Sequence, residues 1–569
     1  MKRLIYVSLV IVTAVVFSSC AGLNKMKKEA GNISYQVTPK VLEEHAGKVK
    51  VSITGQFPEK YFNKKATVIA TPVLVYDGGE KAYTPVTLQG EKVEANNKTI
   101  SYTGGKFSYN GEIDYSDSMR ISHLVLRAKA SIKDKSVDFE PVPLADGVIA
   151  TPTLVKKMAR PIYMPDHYQR IVPKSGEADI NFLINRYNIR RSELKSEDVI
   201  HLLGFIQEMA STPNLKYTGT EIHGYASPDG PYKFNDKLSK KRAQVVDKHM
   251  KKSLKTNKIM SGKDVKFTDQ STAEDWEGFK KLVAASNMKD KDLILRVLSM
   301  YSDPEVREKE IKNMAEAYDV LKKSILPELR RSVIRINADL IGLSDEQILN
   351  YIETKPDTLS LEAMLHAAGL VKDLDKKLKY YEMAFNKEPR CIRAINNIGA
   401  VYLAMGKVDQ AETALKKAQA IKDIDPVKNN MGFVELLKGN LDKASEYFTS
   451  MQTPTKESNF GLGTIAIING KYQDAVNYFG SEPSFNAALA KLLNGDVQGA
   501  KSTLDAIDHE CKWKEYLKAV VGARLGDDTL VFQSLKKSTG MDPKMKELAK
   551  TDMEFAKYFE NDQFKAIVQ

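Results

Sequence analysis

Cysteine is scarce in this sequence, with three among 569 residues, at positions 20, 391 and 511. No cysteine and histidine residues share the spacing of a metal site, so the sequence predicts no bound metal. Cys391 and Cys511 fall in different helical segments, where we expect buried, unbonded thiols. A disulfide between them in an oxidising compartment is the alternative. The length itself indicates more than one domain.

The sequence also lacks an apolar run of membrane-spanning length at its start. Leu4–Phe17 contains 14 residues, whereas a comfortable span needs about 20. Lys2 and Arg3 precede this run, and the small residues Ser18 and Ser19 follow it. A basic start, a short apolar segment and small residues are typical of a cleaved targeting peptide.

The junction Phe17-Ser18-Ser19-Cys20 resembles the lipobox of bacterial lipoproteins. The resemblance implies cleavage before Cys20 and acylation of its thiol and new N-terminus, so residues 1–19 are a predicted signal peptide and 20–30 a tether. Several acyl chains would anchor the protein stably. Because the following residues are basic and lack an Asp at position 21, we expect the periplasmic face of the outer membrane. An ordinary secretory peptide or a short anchor is the alternative.

Charge of one sign does not dominate any part of the chain. The 85 basic and 73 acidic residues give a net charge of +12, but lysines are interleaved with acids, which indicates a solvated surface and no nucleic-acid partner. Nucleophile-elbow, zinc and phosphate-loop motifs are missing. We therefore expect no enzyme and no cofactor. A glycosidase-type carboxylate pair stays open, because carboxylates are abundant, although no motif places one.

Residues 31–155 show the two-residue alternation of β-strands, clearest at Lys48–Ile53 and Ile121–Ser131. Turn clusters such as Asp77-Gly78-Gly79 and Gly104-Gly105 separate the segments. Short strands at this spacing predict an all-β sandwich. Residues 156–177 are basic and contain several prolines, and they are predicted to be a linker.

The next region predicts alternating strands and helices. A strand at Asp179–Asn185 and a helix at Ser196–Met209 precede a strand at Tyr217–Tyr225 and a helix that opens near Asn235. A further strand is expected at Asp264–Thr268. Helical segments of some 60 residues then precede a closing strand that follows Arg330 and Arg331. These two arginines either line a cleft or form salt bridges at the edge of the sheet.

The loop between the second strand and its helix resembles the peptidoglycan-binding loop of the OmpA C-terminal family. The matching residues, without a gap, are Gly224, Tyr225, Ala226, Ser227, Gly230, Asn235, Leu238, Ser239, Arg242 and Ala243. In that family, an Asp of the loop and an Arg of the helix hold the diaminopimelate of the wall peptide. Arg242 occupies the Arg position, whereas Ser227 replaces the Asp and Asp229 lies two residues later.

The resemblance implies a central α/β (α+β) OmpA-like domain at residues 175–340, with a helical insertion at about 270–325. It also implies that the domain contacts peptidoglycan. The implied binding residues are Arg242, Asn235, Ser227, Asp229, Tyr225 and Gly224. A Gly-Tyr-Ala-Ser-Pro-acid-Gly loop with an Asp-Trp helix is the variant associated with Bacteroidota envelope proteins.

Residues 358–569 carry internal repeats. Gly399, Gly406, Ala411 and Leu415 recur 33 residues later as Gly432, Gly439, Ala444 and Phe448. The pattern resembles the tetratricopeptide repeat, which implies an α-helical solenoid with a concave groove for a protein partner. The sequence does not identify that partner.

The sequence as a whole predicts a multidomain, non-enzymatic lipoprotein. The lipid at Cys20 would hold the outer membrane, the central domain would contact peptidoglycan, and the repeats would scaffold proteins. The alternative is an accessory component of an outer-membrane assembly, secretion or fimbrial system, in which the OmpA-like domain no longer binds the wall.

Overall fold

The computed structural model describes residues 21–259 and 266–569, and the chain divides into two compact units. The β-repeat unit combines the residues up to Pro165 with Val371–Gln569, and the central unit is Asp166–Leu370. Cys20, the predicted lipidation site, lies outside the described residues. Within the described ranges, no helix is both long and apolar enough to cross a bilayer.

The β-repeat unit begins with a β-rich region, as predicted. Its strands are β1 (Ser34–Thr38), β2 (Val41–His45), β3 (Lys48–Phe57), β4 (Thr67–Tyr76), β5 (Gly79–Ala82), β6 (Val86–Gly90), β7 (Lys98–Ile100), β8 (Gly105–Asp114), β9 (Ser122–Ile132), β10 (Lys135–Asp138) and β11 (Val142–Ile149). The pairing order is β1-β3-β2-β11-β9-β4-β6-β7, with β8 on β3, β10 on β9 and β5 on β4. The expected sandwich is therefore one continuous 11-stranded sheet, joined through the parallel β2–β11 pair.

One apolar core fills this region. Alternate residues of β3, among them Val49, Val51 and Ile53, are buried in it because successive side chains of a strand point to opposite faces. Residues 21–28, which the sequence predicts as part of a tether, instead form a helix, α1, whose Leu23 and Met26 are buried in the same core.

The central unit contains a four-stranded sheet of order β12-β15-β13-β14. Its elements are β12 (Ile171–Asn181), α2 (Glu197–Ser211), β13 (Leu215–Tyr225), α3 (Tyr232–Thr256), β14 (Phe267–Thr272), α4 (Trp276–Ala285), α5 (Lys291–Met300), α6 (Pro304–Asn313), α7 (Ala315–Ser324), β15 (Arg331–Ile341), α8 (Asp345–Thr354) and α9 (Leu361–Leu370). The strand β15 is antiparallel to β12 and β13, and β14 is parallel to β13.

Two separate cores stabilise the central unit. The helices α2 and α3 bury residues such as Ile206 and Val246 against the sheet. The helices α4 to α7 lie between β14 and β15 in the chain, where the sequence predicts a helical insertion, and they share their own core around Phe279 and Leu321. The strand expected at Asp264–Thr268 lies partly outside the described residues, and β14 begins at Phe267.

The helical repeats complete the β-repeat unit. They are α10 (Leu374–Lys387), α11 (Ile392–Ala404), α12 (Val408–Ile421), α13 (Asp425–Lys438), α14 (Leu441–Thr449), α15 (Lys456–Ile468), α16 (Tyr472–Phe479), α17 (Phe485–Leu493), α18 (Val497–Asp505), α19 (Lys512–Leu525), α20 (Asp528–Met541), α21 (Lys544–Lys550) and α22 (Asp562–Val568). From α11 to α20, consecutive helices pack as pairs.

Small residues in the repeats allow this close pairing. A Cβ atom added to Gly432 would lie 2.6 Å from Cε1 of Phe448, so the glycine of α13 makes room for the aromatic ring of α14. Gly432 and Phe448 are two of the residues whose recurrence in the sequence predicts the repeats. Cys391 and Cys511 differ from expectation, because both are only half-buried and unbonded, at the residues that precede α11 and α19.

Candidate functional site

The first candidate site is the loop between β13 and α3, and Arg242 lies beneath it. The Arg242 side chain is 1% exposed. Its guanidinium donates to three carbonyl oxygens, those of Tyr225 at 2.7 Å, Arg186 at 3.1 Å and Leu183 at 3.3 Å. Burial, reinforced by the nearby Arg330, lowers the pKa of Arg242 to about 10. Arg242 therefore holds backbone segments together, and no carboxylate of the described residues forms an ion pair with it.

Asp229 pairs with a different arginine. Arg330 donates from Nη2 to Asp229 at 3.1 Å and from Nε to the hydroxyl of Ser227 at 3.3 Å. Ser227 in turn donates to the Asp229 carboxylate. The structure thus places Ser227 and Asp229 in contact and adds Arg330. Of the two roles that the sequence left open for Arg330, the structure shows a salt bridge, with Asp229.

The remaining predicted residues shape the loop. Asn235 donates from Nδ2 to the carbonyl oxygens of Ser227 at 3.1 Å and Gly230 at 3.0 Å, so it fixes the loop at the start of α3. A Cβ atom on Gly224 would lie 2.2 Å from the carbonyl oxygen of Ser239, and a glycine is therefore needed where α3 crosses β13. The Tyr225 ring stacks on His223 at 4.1 Å and also lies beneath the Arg331 guanidinium at 4.5 Å.

The helical insertion covers one side of this loop. Trp276, Phe279, Ile311 and Tyr318 line a gap beside Asp229 that measures about 10 Å³. A water molecule needs about 10–15 Å³ on this kind of measure, so a diaminopimelate group does not fit between the insertion and Asp229. A ligand of the Asp229–Arg330 pair would have to approach from another side or move the insertion.

The second candidate site is a face of the helical repeats on which asparagines lie at matching positions. Asn396 and Asn397 lie on α11, and Asn429 and Asn430 follow 33 residues later on α13. Asn486 lies on α17. All five side chains are buried, although asparagine is a residue that proteins normally keep exposed. Buried amides need hydrogen-bond partners, and an extended segment of the same chain supplies them.

That segment is residues 156–164, called here the docked segment. Asn486 accepts the Lys156 N–H and donates to the Lys156 carbonyl, both at 2.9 Å. Asn430 clasps Ile162 in the same way at 2.7 and 3.0 Å, and Asn397 clasps Met164 at 2.7 and 2.8 Å.

Two further asparagines add to these clasps. Asn429 donates to the carbonyl of Arg160, and Asn396 donates to that of Ile162, both at 3.1 Å. Residues 160, 162 and 164 alternate along an extended backbone, so this asparagine ladder binds main-chain groups as a neighbouring strand would.

Side chains of the docked segment make specific contacts as well. The Arg160 guanidinium lies 3.8 Å from the centre of the Phe460 ring and donates to Glu482 at 2.6 Å. Phe460 stands 31 residues after Asn429, so in this repeat the asparagine position carries an aromatic ring. The segment predicted as a free linker is therefore bound along the repeats, and the chain itself occupies this part of the groove.

Comparisons with known proteins agree with this description of the repeats. The tetratricopeptide repeat family model matches residues 392–424, which span α11 and α12. These residues are a tetratricopeptide repeat. No curated protein matches the chain.

Parts of several solved structures are similar to parts of this chain. One chain in the crystal structure of the APC/C hetero-tetramer Cut9–Hcn1 is 17% identical to this protein. The match covers 40% of this chain and 46% of that chain, with a TM-score of 0.33. This chain therefore spans less than half of that protein's length. A tetratricopeptide repeat protein from Parabacteroides merdae is 15% identical over 37% and 91%, with a TM-score of 0.30. PilW, a type IV pilus biogenesis factor, is 15% identical over 40% and 96%, with a TM-score of 0.27.

Proposed function

We propose that this protein is a non-enzymatic scaffold of the bacterial envelope, whose tetratricopeptide repeats bind proteins through extended segments. The observation that carries the proposal is the asparagine ladder. It clasps the N–H and carbonyl groups of Ile162 and Met164, which any extended peptide also offers. The docked segment acts as a bound example of such a peptide, and a partner segment would compete with the docked segment for the same asparagines.

We further propose that the scaffold connects the outer membrane to the cell wall. Acylation at Cys20 would supply the membrane anchor, as the lipobox-like junction suggests. The central unit would contact peptidoglycan through the loop that carries Ser227 and Asp229. Asp229 and Arg330 form an ion pair in this loop, with 15% of the Asp229 side chain and 11% of the Arg330 side chain exposed. A diaminopimelate head, which has both an ammonium and a carboxylate, could exchange with that pair.

Retention on purified peptidoglycan tests the wall contact. We expect the full-length protein to sediment with sacculi, and Asp229→Asn to reduce the retained fraction at least about fivefold, since it removes the only charge offered to an ammonium by the loop residues 225–231. Asp236→Asn is the matched control, because Asp236 lies on α3 and pairs with the exposed Lys240. The turbidity of the sacculi should stay constant, and clearing of the suspension would instead indicate an enzyme.

Three contacts around the loop between β13 and α3 favour a second candidate function. Arg242 is committed to carbonyl oxygens, Asp229 is neutralised by Arg330, and the insertion packs against the loop. These features favour an accessory component of an assembly, secretion or fimbrial system in which the central unit no longer binds the wall. Equal absence of sedimentation for the wild type and Asp229→Asn would support this candidate and exclude the wall contact.

A further inference from the structure

An apolar cavity of about 860 Å³ lies within the β-repeat unit, beside the start of the docked segment. Small-molecule sites typically measure about 300–1,000 Å³, so its size suits a ligand and exceeds a packing defect. Its walls are mainly apolar and aromatic, contributed by Val155, Met158, Phe460, Ile467, Phe485 and Trp513. The docked segment and three successive repeats therefore supply most of the wall, and residues of the β-rich region such as Glu44, together with Pro152 and Val155, complete it.

Two lysines that are at least partly buried, Lys156 and Lys514, bring positive charge to the cavity without a carboxylate partner. The lining also contains Lys157, which is exposed, and Arg160, which pairs with Glu482. Lys514 is 6% exposed, and its Nζ donates to the carbonyl oxygens of Ile507 at 2.6 Å and His509 at 3.4 Å. No acidic group of residues 21–259 or 266–569 lies within ion-pair distance of it. A buried ammonium that only carbonyl dipoles neutralise favours a nearby anion.

Lys156 is the second cation. Its Nζ lies 3.0 Å from the centre of the Trp513 ring and 5.6 Å from that of Phe485. Burial, with a contribution from the neighbouring Lys512, lowers the pKa of Lys156 to about 8. It forms no ion pair with the described residues.

Glu44 is the acid in the described lining. Its carboxylate accepts the N–H of Gly47 at 2.5 Å, and burial raises its pKa, so it offsets the positive charge only in part.

We propose that this cavity binds a long-chain carboxylate of the fatty-acid class. The alkyl chain would lie against Phe460, Phe485 and Trp513, and the carboxylate would pair with Lys156 and Lys514. A peptide fits less well, because its main chain needs polar partners and the amide of Asn486 is already committed to Lys156. A ligand with one polar end and an otherwise apolar body matches the distribution of charge. This site is separate from the proposed wall contact. It shares the docked segment and Asn486 with the proposed protein contact, so a partner that displaced that segment would also open the cavity.

Trp513 offers a direct readout. The sequence contains two tryptophans, so Trp276→Phe leaves Trp513 as the reporter at the cavity. In this background we titrate the full-length protein with dibromostearate, whose bromine atoms quench indole fluorescence on contact. We expect saturable quenching with one site per chain. The neutral methyl ester of the same acid should bind at least about tenfold more weakly, because the proposal requires an anion.

Variants identify the cations. Lys156→Met should weaken binding of the acid at least about tenfold and bring it close to that of the ester. Lys514→Met should act in the same direction. Lys417→Met is the matched control, since Lys417 is exposed on α12 and far along the array, and it should leave binding unchanged. Circular dichroism checks that each variant is folded. Because Lys156 is only partly buried, it keeps the test valid if Lys514→Met fails to fold.

Three results would overturn the proposal. They are a lack of saturable quenching below the solubility limit of the acid, equal binding of acid and ester, and unchanged binding in folded Lys156→Met. Saturable binding of an apolar peptide with a free C-terminus, without quenching by dibromostearate, would also replace the fatty acid as the occupant.

Discussion

At the scale of single residues, Arg242 shows how a cation is kept in the interior without a carboxylate. Its donors reach carbonyl oxygens from two parts of the chain, the end of β13 and the segment that holds Leu183 and Arg186. The Phe182 ring lies 5.2 Å from the guanidinium carbon. The Leu183 carbonyl also accepts the Arg186 N–H at 3.0 Å, so the guanidinium adds a second bond there. Its bonds to the carbonyls of Tyr225 and Arg186 join the end of β13 to that segment and stabilise the loop on which Ser227 and Asp229 lie.

Replacing Arg242 should therefore cost stability first. We expect Arg242→Ala to lower the free energy of unfolding of the central unit by about 3–5 kcal/mol, because charged hydrogen bonds are lost and buried carbonyls remain. Urea unfolding followed by tryptophan fluorescence measures this effect, with Trp276 as the reporter in a Trp513→Phe background. Lys240→Ala, an exposed change on the same helix, should stay within about 0.5 kcal/mol of wild type. Normal stability with lost sacculus retention would instead make Arg242 a direct ligand of the wall.

The position of Arg242 beside the loop could be predicted from the sequence, but its hydrogen-bond partners could not. The spacing from Gly224 to Arg242 places the arginine next to the loop, and that part follows from strand and helix geometry. The carbonyls of Leu183 and Arg186 lie 59 and 56 residues earlier, and no local pattern reports a contact at that distance. The ion pair between Asp229 and Arg330, which are 101 residues apart, could not be predicted for the same reason.

At the scale of elements, α11 and α13 present the same two asparagines to the docked segment. The repeat of Gly432 and Phe448 at helical-repeat spacing was sufficient to predict that the helices pair. The Asn-Asn pairs recur at the same interval of 33 residues, so that signal was visible in the sequence, although its meaning was not. The segment that they bind lies 233 to 269 residues away, and the basic, proline-containing composition of residues 156–177 is equally typical of a linker.

Loss of one clasp should loosen the docked segment. Asn430→Ala removes two hydrogen bonds to Ile162 and leaves a main-chain N–H without its partner. We expect a cost of about 1–3 kcal/mol for this step. Trypsin cuts the native protein between Lys157 and Met158 when the docked segment opens. Where this opening is fast relative to cleavage, the cleavage rate should become about 5- to 150-fold faster in Asn430→Ala. Mass spectrometry of the fragments measures the rate.

The control for this prediction is Asn477→Ala on α16. Asn477 is exposed and bonds only the neighbouring Gln473 among the described contacts, so its loss should leave the cleavage rate unchanged. Equal rates for Asn430→Ala and wild type would mean that the main-chain clasps do not hold the segment. In that case the side-chain contacts of Arg160 with Phe460 and Glu482 would have to suffice.

At the scale of the whole molecule, the chain combines features that act on different surroundings. The β-rich region and the repeats form one compact unit around the docked segment, and the sheet of the central unit carries the loop. The proposed lipid at Cys20 and the proposed wall contact are attachments to two different structures. Attachments that belong to one chain reinforce each other, because the second one forms at a high effective concentration.

A variant that lacks both proposed attachments tests whether each of them holds the protein in the envelope. In a host that processes lipoproteins, we expect Asp229→Asn to remain in the membrane fraction, since several acyl chains suffice for anchoring. Cys20→Ala, expressed behind a secretory signal peptide whose cleavage does not depend on Cys20 so that the apolar run Leu4–Phe17 is removed, should remain largely in the envelope pellet through the wall and leave it after the sacculi are digested with lysozyme. The combination of both changes should release the protein to the soluble fraction before digestion, as measured by immunoblotting of the fractions. Full release of Cys20→Ala alone would show that the wall contributes no attachment, because a lipid-free chain with a working wall site has to sediment with sacculi. Retention of the double variant would instead require a third attachment, for which the asparagine-lined groove and its protein partner are the next candidates to test.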